Sequence, residues 1–153
     1  MNIKIIETTV EELDVLTELF DQYMVFYKKP SDKKKYRSYL KERLQNKEAT
    51  AYLALDDNTS NLAGFVLNYH SFSSVSQGKI VILNDLFVVP EYRKKGIAER
   101  LINSAFDLAK QVGAIRVDLG TGKDNATAQR LYEKIGFVKD EDFYAYSYAI
   151  RNN

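Results

Sequence analysis

The turn Glu91-Tyr92-Arg93-Lys94-Lys95-Gly96 sets three cations and a glycine between an apolar, β-branched run ending at Pro90 and an amphipathic segment beginning at Ile97. A strand, a short polar turn and a helix in that order place unpaired backbone N–H groups at a helix start, beside positive charge. A diphosphate fits such a place. Gly96 lacks a Cβ, so the main chain there can approach an anion closely and take unusual φ/ψ. The pattern reads Arg93-x-x-Gly96-x-Ala98. It is neither the G-x-x-x-x-G-K-[ST] loop of nucleotide triphosphatases nor the G-x-G-x-x-G of dinucleotide folds.

The elements around the turn must hold it in place. Ile3 to Glu7 reads as a strand. Thr8 or Thr9 could cap the following helix, with Glu11 and Glu12 in its first turn. Leu13, Leu16, Leu19, Phe20 and Tyr23 recur there at helical spacing. Pro30-Ser31-Asp32 breaks the pattern and can start a second helix, where Tyr36, Tyr39, Leu40, Arg43 and Leu44 make a weaker stripe. Thr50 to Asp56, Leu62 to Phe72 and Lys79 to Val89 read as strands joined by short turns, hence antiparallel hairpins. The helix after Gly96 carries Ile97, Leu101, Ile102, Ala105, Leu108, Ala109 and Val112 on one side, and Gly113 stops it. Ala114 to Gly120 returns as a strand, parallel to the one before the helix if a right-handed crossover joins them. Asn125 to Ile135 forms another helix, closed by a C′ glycine, Gly136, with Phe137 folding back on the last turn. Two last strands are expected around Phe137 to Lys139 and Phe143 to Ile150. The order βααβββαβαββ predicts a mixed α+β (α/β) fold, a central twisted sheet flanked by helices.

At 153 residues the chain reads as one domain, 1–153. A net charge of +1 gives no global basic field, so no nucleic-acid partner is expected and any polyanion contact must be local. The absence of cysteine removes disulfides, thiolate metal sites and a Cys nucleophile, and it fits a reducing compartment. No apolar run reaches signal-peptide or membrane length, so the protein is expected in the cytoplasm, off the membrane. A single histidine, His70, and no clustered ligands argue against a metal site; His70 reads as a sheet histidine.

A second segment sharpens the first. Asn125-x-x-Ala128-x-x-x-Tyr132-x-x-x-Gly136-Phe137 resembles, at every fixed position, the motif N-x-x-A-x-x-x-Y-x-x-x-G-F of the GNAT-type N-acetyltransferases. Arg93-x-x-Gly96-x-Ala98 resembles the same family's Q/R-x-x-G-x-G/A, which lies between a strand and a helix. The motifs occur in family order, and the element order matches the family topology, so the resemblance covers essentially the whole chain.

The resemblance implies acetyl-CoA as co-substrate. The turn Arg93, Lys94, Lys95, Gly96, Ile97, Ala98 and Glu99 would bind the diphosphate, mainly through backbone N–H groups. Leu86, Phe87 and Val88 would offer main-chain groups to the pantetheine arm, beside a β-bulge that family members usually carry. Asn125 would contact the arm, with Ala128 at the matched position beside it; a bare N-cap role for Asn125 is compatible. Tyr132 would be the general acid for the leaving thiolate, since a phenol of reference pKa about 10 can donate at neutral pH. Its alternative is an aromatic on a buried helix face.

The acceptor side is less determined. The diamine, small-amine and histone-type branch is the nearest resemblance, but its polyamine enzymes often carry Glu-Asp where this chain has Asn84-Asp85. An amide neither accepts a proton nor balances a cation. Asp85 could serve as base through a water, yet strand alternation puts it on the face opposite Asn84, which favours a structural carboxylate. Family substrate selection falls to the first two helices, which here hold Asp21, Tyr23, Tyr27 and Tyr36. Aromatics with an acid could hold a cationic amine; each alone equally suits helix packing.

The expected reaction is direct acetyl transfer to a primary amine of a small molecule, since no cysteine is available for a relay. Two alternatives stand beside it: an acyl-CoA-binding module without turnover, and acetylation of proteins or peptides. The Tyr-rich end (Phe143, Tyr144, Tyr146, Tyr148) could pair with a second copy in a homodimer; an internal edge strand would look the same.

Overall fold

Thr9 opens the first helical region with a reciprocal cap. Its hydroxyl accepts from the Glu11 N–H at 3.2 Å, and the Glu12 carboxylate accepts from the Thr9 N–H at 2.9 Å. A short 3-10 turn, Val10–Glu12, leads from there into α1, Leu13–Phe26. Asp32 caps α2, Lys33–Gln45, by accepting from the Lys35 N–H. The computed structural model describes residues 1–150 and divides into two compact units, Met1–Gly120 and Thr121–Asn153.

The first unit holds a five-stranded sheet in the order β1-β2-β3-β4-β5. β1 (Ile3–Glu7), β2 (Ala49–Asp56), β3 (Asn61–Ser73) and β4 (Gly78–Val88) pair antiparallel in sequence. α3, Ile97–Val112, crosses back so that β5, Arg116–Asp118, lies parallel to β4. Alternation along the strands makes two buried faces. Ala51, Leu53, Phe65, Leu67 and Phe87 pack against Leu13, Leu16, Leu19 and Phe20 of α1 and Leu40 of α2. On the other face Val81 meets Leu108 and Ala109 of α3. Each fully buried leucine contributes about 1.5–3 kcal/mol, so these faces fix where the end of β4 sits. Gly113, at φ 76°, ends α3 as expected.

The second unit contains α4, Ala126–Ile135. Gly136 has φ 124°, the Phe137 N–H donates to the Tyr132 carbonyl at 3.0 Å, and the two rings lie 5.8 Å apart. That is the fold-back the Gly-Phe pair predicts.

The two last strands expected at Phe137 to Lys139 and Phe143 to Ile150 are not formed as strands. Phe143, Tyr144, Tyr146, Tyr148 and Ile150 stand 81–93% exposed on both alternations. A strand needs a neighbour for its N–H and C=O groups, and alternation in sequence does not supply one. No helix among the described residues is long and apolar enough to cross a membrane.

Candidate active site

The β3–β4 register shifts at one point. Leu67 pairs with Asp85 and Asn68 with Leu83, which leaves Asn84 as the extra residue of a bulge. Beyond it the Val89 N–H donates to Ala63 O at 2.9 Å. By alternation the main-chain groups of Leu86 and Val88 then turn away from β3. β5 pairs with β4 across Ile80, Val81 and Ile82, so among the described residues no strand pairs with that edge of β4 past the bulge. Gly64 lets the β3 backbone run close here, for a Cβ would collide with the Phe87 carbonyl oxygen.

A 3-10 turn, Pro90–Tyr92, follows β4. Lys94 then takes φ 61°, a region most non-glycine residues avoid, and Gly96 takes φ 79° as the N-cap of α3. No side chain caps α3, and a Cβ built on Gly96 would meet nothing within 4 Å. Among the described residues the first-turn N–H groups of α3 therefore have no side-chain cap, an arrangement that suits an anion. Asp56 braces the turn: the Tyr92 hydroxyl donates to it at 2.7 Å. That bond, ahead of those from the Asn2 and Asn58 N–H groups, holds the Asp56 carboxyl below its ordinary range. Lys95 lies over the Tyr92 ring, Nζ 5.6 Å from the centroid.

The Arg93 side chain is committed elsewhere. Its Nε donates to Val88 O at 2.9 Å, and its guanidinium carbon lies 4.9 Å from the Phe26 ring centroid and 5.8 Å from that of Phe87.

On the α1 face, Asp85 receives two hydrogen bonds: Tyr23 OH donates to Oδ1 at 2.8 Å, and Asn84 Nδ2 donates to Oδ2 at 2.9 Å. Strict alternation put Asn84 and Asp85 on opposite faces; the bulge overturns this, because its extra residue breaks the two-residue period and brings both side chains together. Burial pushes the Asp85 carboxyl above its ordinary range, against the pull of those two bonds. The Tyr23 ring sits 5.0 Å from Tyr27, 5.5 Å from Phe65 and 5.9 Å from Phe87. Tyr27 is half exposed at this patch.

Asp21, a candidate, and His70, read as a sheet histidine, both have structural partners. Asp21 is buried and accepts from Ser31 Oγ at 2.8 Å and from the Asp32 N–H at 2.9 Å, which fastens the α1–α2 connection. The His70 Nε2 shares a 2.8 Å hydrogen bond with Thr50 Oγ1, and burial, then Lys79, lowers its pKa. Sequence reasoning missed the Tyr23–Asp85 bond, the Arg93 stack and the Asp56–Tyr92 brace. Only the aromatic richness of α1 hinted at the first two.

In the second unit, Asn125 caps α4, its Oδ1 accepting from the Ala128 N–H at 3.3 Å. Tyr132, on the same helix, is half-buried beside Phe137.

A family model described as the acetyltransferase (GNAT) family matches residues 14–137. The chain is 40% identical over 146 residues to an uncharacterized N-acetyltransferase, YhfO, of Bacillus subtilis (strain 168), covering 95% of each. It is 24% identical over 148 residues to a thialysine N-epsilon-acetyltransferase of Caenorhabditis elegans, covering 95% of this chain and 91% of that one. A crystal structure of a probable acetyltransferase, 39% identical, superposes with a TM-score of 0.90 over 98% of this chain and 99% of the other.

Proposed function

The chain belongs to the acetyltransferase (GNAT) family, and on that premise we propose that it transfers acetyl from acetyl-CoA directly to the primary amine of a small molecule. The observation that carries this reading is the junction of a β4 edge that no described strand pairs past the bulge with an uncapped α3 start. The family uses acetyl-CoA, and these residues fit it: the Lys94–Glu99 main chain suits a diphosphate, and the outward groups of Leu86 and Val88 suit an amide-bearing arm. Val88 O already accepts from Arg93, which leaves its second lone pair and the neighbouring N–H groups for the arm. Asn125 and Ala128 are assigned to the cofactor by their motif positions.

Acetyl-CoA supplies the activated thioester; the chain supplies position and protons. The acceptor must be neutral to attack, and Asp85, raised by burial, is the proposed base that takes its proton, directly or through a water. As the C–N bond forms and the C–S bond breaks, Tyr132, assigned to this role by its motif position, is the proposed donor of a proton to the departing sulfur. An arriving ammonium gives one proton to Asp85, which frees its lone pair, and loses a second as the amide forms. The second replaces the proton Tyr132 gives to sulfur and Asp85 passes the first to solvent, so the step balances with one proton released. Tyr23, Tyr27 and Asn84 form the proposed acceptor wall. Acceptors named for relatives, such as thialysine, favour a small amine. The match across Gly120 supports reading residues 1–153 as one catalytic domain. A cytoplasmic location and pairing of two copies through the exposed Phe143–Tyr148 segment belong to the same reading.

The test is a thiol-release assay over a panel of amines and peptides, with products identified by mass spectrometry. We expect CoA release matched by an N-acetylated small amine. Tight acetyl-CoA binding without CoA release on any amine, or acetylation of peptides alone, would overturn it.

A further inference from the structure

We infer that the acceptor is zwitterionic, an amine that also carries a carboxylate, and that the Arg93 guanidinium binds that carboxylate across the Phe87 ring from Asp85. This deepens the small-amine reading and rests on it. Arg93 is fixed in place by three partners: Val88 O through Nε, and the faces of Phe26 and Phe87. Those contacts use one N–H and leave both terminal amino groups, the pair that meets a carboxylate in a bidentate fork. No carboxylate among the described residues pairs with it. A guanidinium stacked on aromatics and short of a counter-ion is pre-organised for an anion.

Asp85 and Phe87 point to the same sheet face, two residues and about 6.6 Å apart along β4. Tyr23 joins them, its hydroxyl on Asp85 and its ring 5.9 Å from Phe87. A short apolar wall therefore carries a carboxylate at one end and a guanidinium at the other. An ammonium arriving at Asp85 has its own attached carboxylate complemented at Arg93. A diamine would bring its second cation against the guanidinium and be disfavoured. Asn84 agrees with this, since the bulge offers an amide and adds no second acid for a second cation.

The experiment compares matched acceptors with the full-length protein: amino acids with amines at differing distances from the carboxylate, their methyl esters, and diamines. kcat/KM is measured for each, with KM for acetyl-CoA alongside. We expect at least one free acid to exceed its ester by roughly fivefold to tenfold, the scale of a well-placed, partly exposed charge pair. Arg93→Ala should bring that ratio toward one, and Arg93→Lys should keep part of it. If Arg93→Ala does not fold, Arg93→Gln makes the same comparison. Turnover on esters or diamines with no preference for the acid overturns the zwitterion and leaves small-amine acetylation standing. So does an Arg93→Ala enzyme that raises the acetyl-CoA KM equally for all acceptors while keeping the ratio. No CoA release on any amine overturns both.

Discussion

The proposed donor side and the proposed acceptor side meet at the end of β4, but they are made of different material. The donor side is main chain: positive φ at Lys94 and Gly96, an uncapped α3 start, and the outward groups of Leu86 and Val88. The acceptor side is side chain: Tyr23 and Asn84 on Asp85, and Arg93 on Phe26 and Phe87. A site of backbone groups tolerates change in most of its side chains and fails where a new Cβ or charge intrudes. A site of side chains fails one residue at a time. The first can persist while the second is rebuilt for a new acceptor.

The largest effect should come from the acceptor side. Asp85→Asn should lower kcat on the order of 10²–10³-fold, the usual weight of a general base, with acetyl-CoA binding by calorimetry little changed. The stability response has the opposite sign. Asp85 has a folded pKa above its unfolded value, so its charged form is penalised at neutral pH and the penalty fades as pH falls through the folded value. The Asn variant should therefore melt no lower than wild type at pH 7. A large drop in melting temperature with kcat intact would make Asp85 structural. On the donor side, Gly96→Glu should weaken acetyl-CoA binding by about a hundredfold, because like charges set against each other cost several kcal/mol. Gly96→Ala isolates the backbone strain at φ 79°. Lys95→Ala should matter far less than Gly96→Glu. The reverse ranking would mean that side chains, not main chain, bind the diphosphate. Tyr132→Phe should reduce kcat by about tenfold, less than a base would, because a thiolate leaves more readily than an alkoxide. Unchanged kcat would remove its acid role.

The same contrast explains what the sequence disclosed. A main-chain site imposes local demands, a glycine, a turn and a helix start, and these fall within Arg93 to Ala98 where a motif can record them. The faces of α1 and α3 were legible for the same reason, since helical spacing is local. The acceptor side depends on partners 62 residues apart, as with Tyr23 and Asp85, and no local spacing encodes that pairing. Alternation sets Asn84 and Asp85 on opposite faces, and the structure does not, because a bulge is one extra residue, invisible to a rule of period two. Asp21 suggested a ligand-binding acid but serves the α1–α2 connection, a use that depends on where Ser31 and Asp32 fold back. At Phe143 to Ile150 the aromatic alternation described what a strand would look like, without a neighbour to make it one.

The finest probe of the contrast is Tyr23→Phe, which keeps the ring and removes one hydroxyl. That hydroxyl donates to Asp85 at 2.8 Å and so favours the charged carboxylate. Without it the Asp85 pKa should rise further, and the acid limb of the kcat/KM–pH profile should move to higher pH. Turnover well above that limb should fall only about threefold, and stability by about 1 kcal/mol, the net weight of one hydrogen bond. Acetyl-CoA affinity should not move, since the hydroxyl that is removed donates to Asp85 on the acceptor side. A shifted limb with unchanged cofactor affinity would tie the titrating group to the acceptor side. An unshifted limb would mean that the ionisation controlling the reaction is not that of Asp85.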